Sequence, residues 1–365
     1  MSLYEDKNSP FVSIIILNYN KRTLLVKCLQ SVLDFTKYPS YEIVVTDNGS
    51  IDGSIEEVKR VFCGIERIKV VVLGENFGYA EGNNKGFNNV CKRSKYVVIL
   101  NNDVTIDQEN WLSVLVEFLD KHEDIGIAQP IIVDSDDSAR TYQAKVYGFD
   151  MNVFGEFFAV KISDQPDPNS NKDYNECFSV LGAAFIARKK IIDKIGLFNK
   201  RFFLDYEDSD FCWRVRLFGS KPVVVHSSRV RHLNGGTINS FYLTSPILQF
   251  HILKNKIYML LMNYELTNVI KYVPWTILSQ VYDLTNRMIS SLFARGIAKK
   301  ILKSMGLAGP MSLAYLLIHF PEIWNDRLNV QENIRKVRDS EIVGKYIRLQ
   351  RPLLLRRTKP PGAIG

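Results

Sequence analysis

Carboxylates and aromatic side chains lie close together in residues 202–214. The carboxylates are those of Asp205, Glu207, Asp208 and Asp210. Burial near aromatic rings disfavours the charged form of a carboxyl group, so it raises the pKa and makes the carboxylate a better proton acceptor. The pattern therefore predicts a general base. The same residues also fit an acidic helix N-terminus, in which Asp205 caps a helix running through Trp213.

A second acidic site follows the apolar run 96–100, which is typical of a strand buried on both faces. This run leads directly into Asn101, Asn102 and Asp103. Ligands of open parallel sheets bind beyond the carboxyl ends of the strands, so we expect Asp103 in a binding crevice. An oxygen ligand there suits Mg²⁺ or Mn²⁺ bound to a diphosphate. A polar turn is the alternative for these three residues.

Apolar strands alternate with helical patterns in the N-terminal part of the chain. Strands are predicted at residues 12–17, 42–46 and 68–73, and helices at residues 23–33 and 54–62. Polar segments follow the three strands at residues 18–20, 47–53 and 75–84. This alternation predicts an α/β fold, with a mostly parallel sheet flanked by helices and polar loops at one edge of the sheet.

Two common classes of nucleotide-binding protein are excluded because their glycine motifs are absent. Residues 18–23 follow the first strand and contain no glycine, whereas a dinucleotide-binding dehydrogenase has a glycine-rich turn there. The chain also lacks the Gly-x-x-x-x-Gly-Lys-Ser/Thr loop of the P-loop hydrolases. A metal ion on Asp103 is then the simplest means of holding a diphosphate.

Short motifs follow one another in a fixed order over residues 10–245. They are Asn18-Tyr19-Asn20, Asp47-Asn48-x-Ser50-x-Asp52-Gly53, Asn76-Phe77-Gly78-x-Ala80-x-Gly82-Asn83-Asn84, Leu100-Asn101-Asn102-Asp103, Gly182-Ala183, Gly196-Leu197-Phe198, Tyr206-Glu207-Asp208-x-Asp210 and His232-x-x-Gly235-Gly236-Thr237. Each motif is weak alone, but the ordered set resembles the inverting glycosyltransferases of family two. These enzymes have the GT-A fold, and the resemblance is to the branch that includes rhamnosyltransferase-like enzymes.

The resemblance implies a role for each matching position. Asp208 would be the general base that takes the proton from the acceptor hydroxyl, and Glu207 would be a second catalytic residue. Asp103 would bind the divalent metal, Mg²⁺ or Mn²⁺, and His232 would be a second ligand or a contact of the diphosphate. Asn101 replaces the usual acidic residue, so fewer negative charges would surround the metal. The nucleotide-sugar pocket would be formed by Asn18, Asp47, Ser50, Asn76, Gly78, Asn83 and Asn102.

The reaction implied by the resemblance moves a sugar from a nucleotide-diphospho-sugar to a hydroxyl of a glycan or lipid-linked acceptor. Such a displacement needs charge neutralisation on the departing diphosphate and a base near the incoming hydroxyl. Two other functions fit parts of the pattern, a nucleotidyltransferase of similar fold and a non-catalytic module that binds sugar nucleotides or glycans. Lys21 and Arg22 are a poor substitute for the glycine-rich loop of the former. The combination of Asp103 and Asp208 argues against the latter.

The C-terminal part of the chain carries the whole basic excess. Residues 246–365 hold 18 Lys and Arg against 7 Asp and Glu, a net charge of +11, whereas residues 1–245 hold 29 against 32, a net charge of −3. Its apolar runs are interrupted or short, so no transmembrane helix is predicted. Either amphipathic helices on an anionic membrane or a helical bundle over the catalytic domain fits these residues. In the membrane alternative, the headgroup contacts would be Arg295, Lys299, Lys300, Lys303 and the basic residues of 335–359.

We predict a catalytic domain at residues 1–245, a basic helical region at 246–357 and a tail at 358–365. The nucleotide-sugar half would span residues 10–105 and the acceptor half 106–245, with a loop at 163–175 and a strand at 180–188. Nucleic acid is not expected as a partner, because the basic residues lack stacking aromatics. The five cysteines have no metal spacing and no signal peptide is visible, which predicts a cytoplasmic protein, at the inner membrane face if the helices bind lipid.

Overall fold

The chain is divided into two compact units. The computed structural model describes residues 9–134, 145–146, 148–160, 173–233, 245–293 and 296–349. The first unit consists of Met1–Asp150, Phe158–Tyr242 and Ile334–Val337, and the second of Met151–Phe157, Leu243–Asn333 and Arg338–Gly365. Each unit therefore combines segments from different parts of the chain.

Strands and helices alternate from the N-terminus onward. The elements begin with β1 (Val12–Asn18), α1 (Arg22–Phe35), β2 (Tyr41–Asp47), α2 (Ser54–Val61), β3 (Ile68–Val72), α3 (Gly78–Phe87), β4 (Tyr96–Asn101), β5 (Val104–Thr105) and α4 (Trp111–Lys121). They continue with β6 (Ile125–Asp134), β7 (Lys145–Val146), β8 (Phe149–Asn152), β9 (Phe157–Ala159), β10 (Tyr174–Glu176), β11 (Ala184–Arg188), α5 (Lys189–Ile195), α6 (Glu207–Leu217) and β12 (Lys221–His232).

The large sheet is parallel across its N-terminal half and mixed beyond it. Its described strands follow the order β10-β12-β6-β11-β4-β1-β2-β3, with β5 and β7 paired at the side. Strands β4, β1, β2 and β3 run parallel, as do β6 and β12. Strand β11 is antiparallel to both β4 and β6. The α/β fold predicted from the sequence, with a mostly parallel sheet flanked by helices, is confirmed.

The apolar runs of β1, β2 and β4 are buried on both faces of the sheet, which explains their continuous β-branched sequence. In the parallel register, Asn18 lies opposite Asp47 and Leu17 lies opposite Asn101. The polar residues that follow these strands therefore begin at the same edge of the sheet. The strands and helices predicted for this part of the chain are confirmed at nearly the same bounds.

The segment predicted as a polar loop at residues 75–84 is largely helical, because α3 begins at Gly78. Its glycines allow the helix to lie close to the sheet. A Cβ added to Gly82 would come within 2.7 Å of Leu17, and one added to Gly86 within 2.7 Å of Ile15. The polar, glycine-rich pattern that resembles a loop therefore belongs to a closely packed helix.

Two further local predictions were wrong. The strand predicted at residues 180–188 begins only at Ala184, because the Gly182 amide donates to the Asp208 side chain instead of to a neighbouring strand. Asp205 is not the cap of α6, which begins at Glu207 after Tyr206. Asp205 and Tyr206 both have φ of +71°, and this left-handed geometry turns the chain sharply into the helix.

The second unit is mainly helical. Its helices are α7 (Pro246–Asn263), α8 (Leu266–Phe293), α9 (Gly296–Ile318), α10 (Phe320–Leu328) and α11 (Asp339–Ile342), with a π-helical segment at Asn329–Ile334. Strand β13 (Ile347–Arg348) joins β8 and β9 in a three-stranded sheet. Within the described residues, no helix combines the length and the apolar character needed to cross a membrane.

Several predictions concern residues outside those that the structure describes. They include most of the loop at 163–175, the tail at 358–365 and the basic residues beyond 349, together with Gly235, Gly236, Thr237 and Arg295. The side chains of Lys299, Lys300 and Lys303 also lie outside the described part.

Candidate active site

Polar side chains from the ends of β1, β2 and β4 form one hydrogen-bonded group. Asn18 Nδ2 lies 3.3 Å from Asp47 Oδ1 and 3.1 Å from Ser50 Oγ, and Asn18 Oδ1 accepts a hydrogen bond of 2.8 Å from Asn102 Nδ2. The Ser50 amide donates to Asp47 Oδ2 at 3.0 Å. Asn18 and Asp47 are buried. The structure thus brings together four of the residues predicted for the nucleotide-sugar pocket.

Asn48 connects this group to the start of α3, and its role was not predicted. Its side chain donates to Asn76 Oδ1 at 2.9 Å and to the Gly78 carbonyl at 3.1 Å, and it accepts from the Phe77 amide at 3.0 Å. Asn76 Oδ1 also accepts from the Gly78 amide. The Asp47-Asn48 pair in the sequence was a signal for it, since Asn48 directly follows the last residue of β2.

Asn83 hydrogen-bonds with Tyr79 of its own helix. It is 1% exposed, and its amide donates to the Tyr79 carbonyl of its own helix at 2.9 Å. A side chain engaged in this way stabilises α3. Among the described residues, no hydrogen bond joins Asn83 to Asn18 or Asp47, so its place in the donor pocket stays a prediction.

Asp103 and His232, which the family resemblance places at the metal and the diphosphate, form a close pair. His232 Nε2 lies 3.1 Å from Asp103 Oδ1, and the pairing of β12 with β5 sets His232 opposite Val104. The Leu233 amide also donates to the Asp103 carbonyl at 3.0 Å. Both side chains are largely buried.

These two residues fit a divalent cation that takes its other ligands from a bound substrate. His232 Nδ1 is buried and has no hydrogen-bond partner among the described residues. In the same part of the chain, no group of three His, Cys, Asp or Glu side chains could hold a metal ion alone. Mg²⁺ and related ions are often held by one or two protein groups together with substrate phosphates and water.

Asp208 is held firmly by backbone and hydroxyl groups. Its Oδ2 accepts from the Gly182 amide at 2.8 Å, and its Oδ1 accepts from the Ser209 amide at 2.6 Å and from Ser209 Oγ at 3.1 Å. Burial raises the pKa of Asp208, although these hydrogen bonds act in the opposite direction. A carboxylate that is oriented and also partly desolvated has the properties expected of a general base.

Glu207 lies next to Asp208 in a less favourable environment. It is 6% exposed, and its Oε2 is buried without a hydrogen-bond partner among the described residues. Burial raises the pKa of Glu207 well above its ordinary value, and the nearby carboxylates of Asp208 and Asp205 raise it further. Glu207 therefore holds a proton more tightly than an exposed glutamate.

Tyr79 links the Asp103 region to Asp208 and was missed by the sequence analysis. Its hydroxyl lies 2.9 Å from Asn101 Oδ1 and 2.8 Å from the Gly182 carbonyl. Burial raises the pKa of Tyr79 well above its ordinary value, with further contributions from Glu207, Asp208 and Asp103. Asp208, the predicted base, and Asp103, the predicted metal ligand, therefore both raise the pKa of the Tyr79 hydroxyl. The motif leaves the position between Gly78 and Ala80 unspecified, so it gave no signal for this contact.

The loop before α6 is anchored on the first turn of α3. The Phe203 carbonyl accepts from the amides of Tyr79 at 2.6 Å and Ala80 at 3.2 Å, so it satisfies two donors at the helix N-terminus. Phe203 has φ of +62°, and a Cβ added to Gly78 would lie 2.5 Å from its ring and carbonyl. The contact explains why Gly78 is a glycine, and it positions the chain that leads to Asp208.

Asp210 forms a buried ion pair that stabilises the fold. It is fully buried, and its Oδ2 accepts from Arg214 Nε at 2.8 Å. The Arg214 guanidinium also donates to the carbonyls of Ile195, Gly196 and Leu197. This ion pair therefore ties α6 to the end of α5.

Comparison with known proteins identifies the protein family that this chain matches. The family described as glycosyl transferase family 2 matches residues 13–196, which is half of the chain. The chain is 22% identical to the dTDP-rhamnosyl transferase RfbF of Shigella flexneri, over 68% of this chain and 80% of that protein. It is 25% identical to the uncharacterized protein y4gI of Sinorhizobium fredii, over 61% of this chain but only 24% of the relative. The chain thus spans about a quarter of this relative's length.

A solved structure shares the fold. The GalNAc-T7 crystal structure with UDP, GalNAc and Mn²⁺ superposes with a TM-score of 0.54 at 18% sequence identity. The likeness covers 70% of this chain and 51% of the other. It supports the GT-A fold predicted from the sequence motifs.

Proposed function

The chain belongs to glycosyltransferase family 2, and we propose that it moves a sugar from a nucleotide-diphospho-sugar to a hydroxyl group with inversion at the anomeric carbon. The observation that carries this proposal is the position of the Tyr79 hydroxyl. It contacts Asn101, which lies two residues before Asp103, and Gly182, whose amide holds Asp208. The contacts support a base and a diphosphate site that adjoin each other, as single displacement requires.

In the proposed reaction, Asp208 is the general base. The oxygen of the acceptor hydroxyl forms a bond to the anomeric carbon while its proton passes to the Asp208 carboxylate. The bond from the anomeric carbon to the diphosphate oxygen breaks, and the nucleoside diphosphate leaves with the electron pair. The Gly182 and Ser209 amides would hold the Asp208 carboxylate in position during this transfer.

Asp103 and His232 are proposed to hold a divalent cation, Mg²⁺ or Mn²⁺. When bound, such a cation neutralises negative charge on a departing diphosphate. The Mn²⁺ and UDP named with GalNAc-T7 support this proposal. Because Asn101 adds no charge, we expect the affinity for the cation to depend on the diphosphate being present.

The donor pocket is proposed to include the hydrogen-bonded group at the strand ends. Its members are Asn18, Asp47, Ser50, Asn76, Gly78 and Asn102, with Asn83 supporting the helix behind them. The name of RfbF supports a hexosyl donor such as dTDP-rhamnose. Family membership favours this reaction over the nucleotidyltransferase and the non-catalytic binding module.

The proposal includes a glycan or lipid-linked acceptor and a location at the inner face of the membrane. Its support is the net charge of +11 in residues 246–365, since anionic lipid attracts basic segments.

A thermal-shift panel tests the donor site. The protein is heated with UDP-, GDP- and dTDP-sugars, each with and without Mn²⁺, and release of nucleoside diphosphate is measured in parallel. A ligand at a hundred times its dissociation constant stabilises the folded state by about 2.7 kcal/mol. We expect one nucleotide class to stabilise the protein with Mn²⁺, and we expect Asp103→Ala to lose that effect.

The control is Asp34→Ala, which removes an exposed carboxylate from α1 and should keep the full shift. If no donor shifts the transition and none releases its diphosphate, the proposed donor reaction is wrong. If the shift persists in Asp103→Ala, the assignment of Asp103 as metal ligand is wrong.

A further inference from the structure

Helix α8 exposes an unusual number of large apolar side chains. Ile270 is 69% exposed, Leu278 54%, Ile289 50%, Leu292 72% and Phe293 82%. Monomeric soluble proteins rarely expose contiguous apolar patches of this kind unless the patch binds something. We therefore expect the exposed apolar side chains of α8 to contact a binding partner.

The exposed apolar residues share one side of the helix. With about 100° between successive residues, Ile270, Leu278, Val281, Ile289 and Leu292 project within an arc of roughly 100°. On the opposite side Tyr272, Val273 and Leu284 are buried, whereas Asp283 and Ser290 are exposed. Helix α8 thus packs part of one side in the second unit and presents an apolar arc on its exposed side. Such an arc is typical of a helix that binds a further apolar surface.

Helices α9 and α10 continue the pattern. Leu307, Met311 and Ile318 are exposed at helical spacing in α9, and Phe320, Trp324 and Leu328 are exposed at every fourth position in α10. We name the exposed apolar residues of these three helices the apolar face. Its members are Ile270, Trp275, Leu278, Val281, Tyr282, Met288, Ile289, Leu292, Phe293, Leu307, Met311, Leu317, Ile318, Phe320, Trp324 and Leu328.

We infer that the apolar face inserts into the surface of an anionic lipid bilayer. The net charge of +11 in residues 246–365 favours contact with anionic headgroups and opposes pairing with a second copy of the same region. Trp275, Tyr282 and Trp324 are the amphipathic ring types that suit the membrane interface. Since no described helix can cross a membrane, the helices would lie along its surface.

This inference deepens the membrane contact included in the proposed function, and it identifies the side chains that would make it. Flotation of the full chain with vesicles tests it. We compare vesicles of phosphatidylcholine with vesicles that also contain phosphatidylglycerol. The test variant carries Leu278→Gln, Ile289→Gln and Leu292→Gln, all on exposed positions. We expect the variant to bind the anionic vesicles more weakly, by about tenfold for each substitution.

The matched control carries Phe35→Gln, Val61→Gln and Val72→Gln, which remove exposed apolar side chains from the first unit. It should bind vesicles like the original chain. Both variants should keep the nucleotide-sugar thermal shift, so a failure to bind lipid would not be confused with a failure of the transferase proposal. Equal binding of the three proteins would overturn the inference. The inference would also be overturned if the original chain did not bind vesicles and instead sedimented as a dimer, and if only the test variant's substitutions disrupted that dimer.

Discussion

Asp208 combines two properties that seldom occur together in an exposed carboxylate. The Gly182 and Ser209 amides fix its orientation, while burial raises its pKa. Replacement by asparagine keeps the shape of the side chain but removes the proton acceptor. For Asp208→Asn we expect the turnover number to fall by about 10²–10⁴-fold, because a positioned base is worth about this much.

Donor binding is the control for this variant. The nucleotide-sugar thermal shift of Asp208→Asn should match that of the original protein, because Asp208 is not among the donor-pocket residues. Normal turnover would show that another group accepts the proton.

Glu207 should make the stability of the protein depend on pH. Its pKa is raised in the folded state, so the folded protein holds this proton more tightly than the unfolded chain does. Stability is then lost as the pH rises from the ordinary glutamate pKa through the raised value. Glu207→Gln cannot ionise, so it should be more stable than the original chain at neutral pH, and its stability should vary less with pH.

Urea unfolding at acidic and neutral pH measures this effect. Glu117→Gln in α4 replaces an exposed glutamate and is the control, for which we expect the original pH profile. A Glu207→Gln profile parallel to that of the original chain would mean that Glu207 ionises normally in the folded protein.

At the level of elements, the contact between α3 and the loop before α6 determines how the base is presented. Gly78 has φ of +81°, and an added Cβ would lie 2.5 Å from Phe203. Gly74 has φ of +82°, but an added Cβ there would meet nothing within 4 Å. Alanine at either position costs about 1–2 kcal/mol for the left-handed geometry. Gly78→Ala should cost about 1–3 kcal/mol more through the clash.

Unfolding free energies and turnover numbers of the two variants check this prediction. We expect Gly78→Ala alone to lower turnover, because a displaced Phe203 moves the chain that leads to Asp208. Equal stability and equal turnover in Gly74→Ala and Gly78→Ala would show that the contact has no effect on the site.

The strands were easy to predict from the sequence because their residues meet one requirement, which is to be apolar. Residues 12–17 and 96–100 are buried on both faces of the sheet, so a continuous apolar run suffices to identify them. The sequence could not predict that β11 inserts antiparallel between β4 and β6, because periodicity says nothing about the pairing partner. It also missed the positive φ of Phe203 and Tyr206, since side-chain type rarely reveals such geometry outside glycine.

Several candidate site residues were predictable because polar residues stand at or just beyond the ends of strands. Asn18, Asp47 and Asp103 were identified in this way, and the parallel register explains why Asn18 meets Asp47. Tyr79 is different, because its contacts lie 22 and 103 residues away in the chain. No local pattern encodes such a contact.

At the level of the whole molecule, the two units are interleaved along the chain. The first unit includes Ile334–Val337, whose Lys336 and Val337 amides donate to the Leu217 carbonyl at the end of α6. The second unit includes Met151–Phe157, in which the Val153 amide donates to the Arg348 carbonyl. Dividing the chain near residue 245 would therefore remove Ile334–Val337 from the first unit and Met151–Phe157 from the second.

A chain truncated after Tyr242 should consequently fold poorly. It would lack Lys336 and Val337, and it would leave Val153 and Phe154, which are 2% and 7% exposed in the intact second unit, without their partners. Exposing a large apolar side chain costs about 1.5–3 kcal/mol. We expect this truncated chain to show lower soluble yield, a lower melting temperature and binding of a hydrophobic dye.

The matched control is a chain truncated after Leu349, which keeps all the segments named above and ends where the described residues end. It should melt like the full chain and retain the nucleotide-sugar thermal shift. If the chain ending at Tyr242 also melts like the full chain and retains the thermal shift, then Ile334–Val337 does not contribute to the stability of the first unit. Residues 1–245 would in that case behave as an independent catalytic domain despite the interleaving. The comparison therefore tests whether the transferase site depends on chain segments that lie beyond the sequence motifs of its family.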